Sequence, residues 1–220
     1  MIMIKGIPFM VSELKLNFHH RKQDGGIIII IHHYYCHHHH HHHHDYSPTQ
    51  HCFPIYGNGV EVDGINGILD AYVDCLNNVA LSGPTLFAPT IRKAQEYAKN
   101  LNCSQNNQKY FILLMITDGE INDMDATISA IIDASRDPIS IIIVGVGTAD
   151  FSSMHLLDSD GKLLSNGKAQ ASRDIVQFVP YNKFAAAGSI TLAQEVLAEI
   201  PTQIIRYMGA REIIPNVCSE

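Results

Sequence analysis

From Ile65 onward the sequence predicts an α/β fold built on a mostly parallel sheet, and three observations lead there. Apolar residues recur at helical spacing in several separate stretches. Between these lie short, continuous apolar runs, Tyr110 to Ile116 and Ile139 to Val146, as strands buried on both faces require. The two kinds of stretch alternate along the chain, which is the order of a parallel sheet with crossover helices.

The elements follow in order. Ile65, Ile68, Leu69, Tyr72, Val73, Leu76 and Ala80, behind Asp63-Gly64, predict an amphipathic helix that ends near Ser82-Gly83-Pro84. Phe87, Ile91, Ala94, Ala98 and Leu101 share one face of a second helix, stopped by the polar stretch from Asn102 to Gln108. The strand from Tyr110 to Ile116 ends at Thr117-Asp118-Gly119. Ile128, Ile131 and Ile132 mark a third helix, and the strand from Ile139 to Val146 is closed by Gly145 and Gly147. Phe151 to Arg173 is mostly polar and contains glycine, so a short helix followed by an exposed hairpin or loop is expected. Asp174 to Val179 reads as a further strand. Leu192, Val196, Leu197 and Ile200 form a closing helix that Pro201 interrupts or restarts.

A chain of 220 residues, 46% of them hydrophobic, buries one substantial core and is short for two. The composition changes abruptly near Gln50. Before it stand Gly25-Gly26, five consecutive Ile, His32-His33-Tyr34-Tyr35 and an unbroken His37 to His44 run, without helical or strand alternation. Residues 1–50 are therefore expected to be a low-complexity leader, disordered or non-native, ahead of a domain over 51–210 and a tail over 211–220. Imidazole is a common transition-metal ligand, so the His run reads either as a metal site or as a flexible tract.

The net charge of -7 is concentrated after Gln50, where eleven Lys/Arg stand against nineteen Asp/Glu. That balance excludes a phosphate-binding nucleic-acid surface and suits a cation or a basic protein partner. Five cysteines without a C-x-x-C pair suggest neither a disulfide framework nor a zinc knuckle, and point to a reduced, intracellular protein. The Ile27 to Ile31 run is far shorter than the roughly 20 residues a membrane span needs.

In open parallel sheets, ligands gather outside the C-terminal ends of the strands. Asp118 stands at such an end, with Glu120, Asp123 and Asp125 close behind, and its carboxylate is a suitable ligand for a hard divalent cation. Asp-Gly after a strand is also an ordinary turn. Thr85, in Ser82-Gly83-Pro84-Thr85, offers a hydroxyl at a loop-to-helix junction; the alternative is an N-cap, its side chain satisfying free amides of the next helix.

Longer strings add a resemblance. Gly83-Pro84-Thr85-Leu86-Phe87-Ala88-Pro89, Ile116-Thr117-Asp118-Gly119-Glu120-Ile121 and Ser140-Ile141-Ile142-Ile143-Val144-Gly145-Val146-Gly147 resemble copine A domains in order and spacing. Arg173-Asp174-Ile175-Val176-Gln177-Phe178-Val179-Pro180 and Leu197-Ala198-Glu199-Ile200-Pro201 extend the match, which runs from near His51 almost to Met208. The resemblance implies a doubly wound von Willebrand factor A-type sheet. It also implies a metal-ion-dependent adhesion site made of a D-x-[ST]-x-S loop, a separate threonine and a separate aspartate. Thr85 and Asp118 match the last two.

No D-x-[ST]-x-S string precedes His51. The domain is thus expected to be incomplete at its N-terminal strands, with a partial site for Mg2+ or Ca2+. In the family the opening strand lies centrally, and Ile27 to Ile31 is a candidate to replace it. Family members carry two C2 domains that give calcium-dependent phospholipid binding; no such domain is read here. The expected function is a non-enzymatic module for intracellular protein partners, cytoplasmic, with recruitment to the plasma membrane in full-length relatives. Autonomous lipid binding and nucleic-acid binding are not expected.

Other chemistries fit less well. Gly145-Val146-Gly147 lacks the third glycine and the lysine of a phosphate loop. Asp158-Ser159-Asp160-Gly161, set on a calcium-loop register, puts Leu156 at the first ligand position and Gly167 at the last. His51 and His155 stand beside no nucleophile motif. The alternatives are the related A domain of RING-type ubiquitin ligases, for which no Cys/His zinc pattern follows Pro215, and a fragment without function.

Overall fold

The computed structural model describes residues 27–31, 35–38, 51–54, 62–77, 79–82, 84–158, 162–184 and 188–216. Strands β1 (Ile27–Ile31), β4 (Phe111–Thr117), β5 (Ile139–Gly145) and β6 (Val176–Pro180) form one sheet in the order β1-β4-β5-β6, every neighbouring pair parallel. A second, two-stranded sheet pairs β2 (Tyr35–His38) antiparallel with β3 (Val79–Ser82). The helices are α1 (Gly64–Leu76), α2 (Ala88–Asn100), α3 (Met124–Ala134), the single turn α4 (Tyr181–Phe184), α5 (Ser189–Leu197) and α6 (Ile200–Gly209).

The apolar runs of β4 and β5 are explained by the two cores they divide. Successive side chains of a strand point to opposite faces. Leu113, Met115, Ile141 and Ile143 accordingly pack with Phe87, Ile91 and Ala94 of the α2 region and with Ala130 and Ile131 of α3. Leu114, Ile116, Ile142 and Val144 pack on the other face with Tyr72 of α1, Leu192 and Val196 of α5 and Ile200 of α6. Helices thus cover both faces, as a doubly wound sheet requires, and all seven residues of β5 are buried.

The expected order of elements holds from α2 to β6, and Pro201 sits in the first turn of α6, where a missing N–H costs nothing. The polar stretch after β5 holds a 3-10 turn at Met154–Leu156 and a hairpin-like bridge between Ser165 and Gln170. At Gly145 a Cβ would press on the Phe151 ring at 3.1 Å, and Gly147 is required by its φ of +89°.

Two expectations are corrected. The first helix does not reach Ser82: it stops at Leu76, and Val79–Ser82 is a strand because Tyr35–His38 supplies a ladder for it. The leader is not wholly outside the fold, since β1 and β2 both lie in it. Ile27–Ile31 pairs parallel with β4 from Ile27↔Ile112 to Ile31↔Ile116. Among the described residues β1 ends the four-stranded sheet and the β2–β3 pair stands apart. Of the His37 to His44 run, the described residues include the backbone of His37 and His38 in β2, and His39 to His44 lie outside them.

Candidate metal-binding site

Asp118 directly follows β4 at the C-terminal end of the sheet and is 7% exposed. The turn that carries it is shaped by its neighbours: the Gly119 N–H donates to Thr117 Oγ1 at 3.4 Å, and the Thr117 hydroxyl donates to the Gly119 carbonyl at 3.3 Å. Val146 N–H donates to the Thr117 carbonyl at 2.8 Å, so β5 holds the same end of β4. Tyr72 of α1 lies near this carboxylate. Burial first, and the Asp118 charge second, push its phenol up to about 12.

Thr85 lies in the loop between β3 and α2 and is 6% exposed. It is not the cap of α2, which starts three residues later at Ala88 with Phe87 in the N-cap position. The free amides at that helix start are satisfied from another loop: Phe87 N–H donates to Asp123 Oδ1 at 2.9 Å and Ala88 N–H to Asp123 Oδ2 at 3.0 Å. Asp123 occupies the N-cap position of α3 but makes no side-chain bond to the amides of its own helix. Thr127, one turn on, donates its hydroxyl to Asp123 Oδ1 at 3.0 Å and orients it.

The loops bearing Thr85 and Asp118 are joined by a second pair of bonds. Thr85 N–H donates to Asn122 Oδ1 at 2.6 Å, and Asn122 N–H donates to the Thr85 carbonyl at 2.9 Å. Four hydrogen bonds across 35 to 37 residues therefore fasten the start of α2 to the loop after β4. The Thr85 hydroxyl and the Asp118 carboxylate are oxygen donors of the kind that Mg2+ and Ca2+ prefer, and both are buried in this fastened pair of loops. Among the described residues no three His, Cys, Asp or Glu side chains converge as a metal cluster, at this sheet end or any other.

Sequence reasoning singled out Thr85 and Asp118 but missed Asn122 and Tyr72, and noticed Asp123 only as one of several acids. An aspartate before a helix reads as the cap of that helix. That Asp123 serves a different helix is invisible without the packing of α2 beside α3.

The family model described as Copine matches residues 41–216. This chain belongs to the copine family. Copine-A of Dictyostelium discoideum is 48% identical to it over 172 residues, covering 77% of this chain and 28% of that protein. Protein BONZAI 1 of Arabidopsis thaliana is 46% identical over 173 residues, 77% of this chain and 30% of the relative, and Protein BONZAI 2 is likewise 46% identical with 29% of its length covered. The chain thus spans less than a third of the length of these relatives. The copine match and the doubly covered parallel sheet together give an α/β fold of von Willebrand factor A type.

Proposed function

We propose that this copine domain is a non-enzymatic binding module that takes a divalent cation, Mg2+ or Ca2+, at Thr85 and Asp118 and engages intracellular proteins through it. The observation that carries the reading is the fastening of the Thr85 loop to the loop after Asp118, which holds two buried oxygen donors at the sheet end where ligands of such folds collect. A bound cation supplies a positive charge and open coordination positions for an acidic group of a partner. Thr85 and Asp118 hold and orient it, and Tyr72 closes the α1 side against water. The absence of a D-x-[ST]-x-S string before His51 makes this site weaker than a complete one.

Calcium-dependent phospholipid binding belongs, in this reading, to C2 domains of full-length copines and not to this domain. The module is cytoplasmic and reaches the plasma membrane with the longer protein. Titration calorimetry of the chain with Mg2+ and with Ca2+ tests the metal reading: wild type binds one ion, and Thr85→Ala and Asp118→Asn each abolish or strongly weaken the binding. Absence of binding by wild type, or equal binding by both variants, overturns it.

A further inference from the structure

We infer that Asn122 and Asp123 are positioning residues for the cation site, setting its affinity without contacting the ion. The inference rests on the metal reading above. Thr85 and Asp118 lie on loops 33 residues apart in the chain, and a cation between them binds tightly only if the loops keep a fixed spacing. Backbone ladders do not provide this. The Thr85 loop follows β3, which belongs to the two-stranded sheet, while Asp118 follows β4 of the four-stranded one. The two sheets share no ladder among the described strands, so the register of Thr85 against Asp118 depends on contacts outside them.

Those contacts come from the Asp118 loop itself, three through side chains and one through its backbone. The Asn122 side chain accepts from the Thr85 amide while its backbone N–H donates to the Thr85 carbonyl, and the Asp123 carboxylate accepts from the two amides that begin α2. Each replaces a water contact with an intramolecular one at the residue that carries the ligand or within three positions of it. Thr127 keeps the Asp123 carboxylate turned toward α2. Outer partners that orient metal ligands typically contribute 10- to 100-fold in affinity. Asn122 is solvent-exposed, so its loss leaves the core intact.

The test is Mg2+ titration calorimetry on the full chain for wild type, Asn122→Ala, Asp123→Asn and Asn122→Asp, each at a temperature where circular dichroism shows it fully folded. Asn122→Ala and Asp123→Asn are expected to weaken binding by about 10-fold each. Asn122→Asp, which keeps an acceptor for the Thr85 amide, is expected to bind as well as wild type or better. A purely structural role lowers the melting temperature of Asn122→Ala and Asp123→Asn while leaving their Mg2+ affinity unchanged, and that result overturns the inference while the metal reading stands. Failure of wild type to bind Mg2+ overturns both. Should Asp123→Asn not fold, exposed Asn122 decides the matter through its own pair of variants.

Discussion

At the scale of single residues, two buried groups set testable limits. Arg173 is 8% exposed at the end of the sheet opposite Asp118, where its guanidinium donates to the Tyr110 hydroxyl at 2.9 Å and to the carbonyls of Asp137 and Ile139 at 2.6 and 2.7 Å. Its carbon lies 5.6 Å from the Tyr110 ring centroid and 5.2 Å from that of Tyr207, so one planar cation ties β5 and the Tyr110 segment to α6. Lysine cannot present that fork. Arg173→Ala is expected to destabilise the domain by about 2–3 kcal/mol in urea unfolding, by leaving buried acceptors unmet, and Arg173→Lys by a substantial part of that. A change within about 0.5 kcal/mol for both contradicts this account. Tyr72 gives a pH dependence. Its phenol is raised to about 12 in the fold, against about 10 when unfolded, so the neutral form is favoured by folding. Its contribution is fully present below roughly pH 10 and is lost as pH rises through about 12. Stability measured from pH 9 upward should fall more steeply for wild type than for Tyr72→Phe, and parallel profiles would refute it.

At the scale of elements, the decisive strand is β1. Phe111–Thr117 is buried over all but one of its residues and pairs with β5 on one edge, so its other edge needs a partner for its backbone groups. Ile27–Ile31 is that partner, in parallel register. Deleting residues 1–50 removes this ladder and also the partner of β3. The expected cost is several kcal/mol, comparable to the roughly 5–15 kcal/mol that stabilise a domain, and the truncated chain should lose its cooperative thermal transition. An unchanged melting curve would show that β1 contributes nothing. Helix α2 teaches a related point about ends: its N-terminus is capped by Asp123 from the neighbouring loop, so the helix is anchored by tertiary contact where its own sequence, Phe87-Ala88-Pro89, offers no cap.

At the scale of the whole molecule, the two ends of the sheet are built for different work. The end bearing the Arg173 cluster is a closed polar lock, extended by the Ser140 hydroxyl donating to Gln203 of α6 at 2.5 Å. The opposite end gathers Thr85, Asp118 and the loops that hold them. No helix among the described residues is long and apolar enough to cross a membrane. The proposal that lipid binding belongs to other copine domains predicts that this chain stays in the supernatant when sedimented with anionic liposomes, with or without calcium; calcium-dependent pelleting would contradict it. What the sequence determined by itself is the alternation of helices and buried strands and the family, because each is written in local periodicity or in contiguous strings such as Gly83-Pro84-Thr85 and Thr117-Asp118-Gly119. Only the tertiary structure decided that Val79–Ser82 is a strand, that five isoleucines complete the ladder of β4, and that Asp123 caps α2 and not α3. Each of those outcomes depends on a partner distant in the chain, and a hydrogen bond to such a partner leaves no periodic trace in the residues that make it.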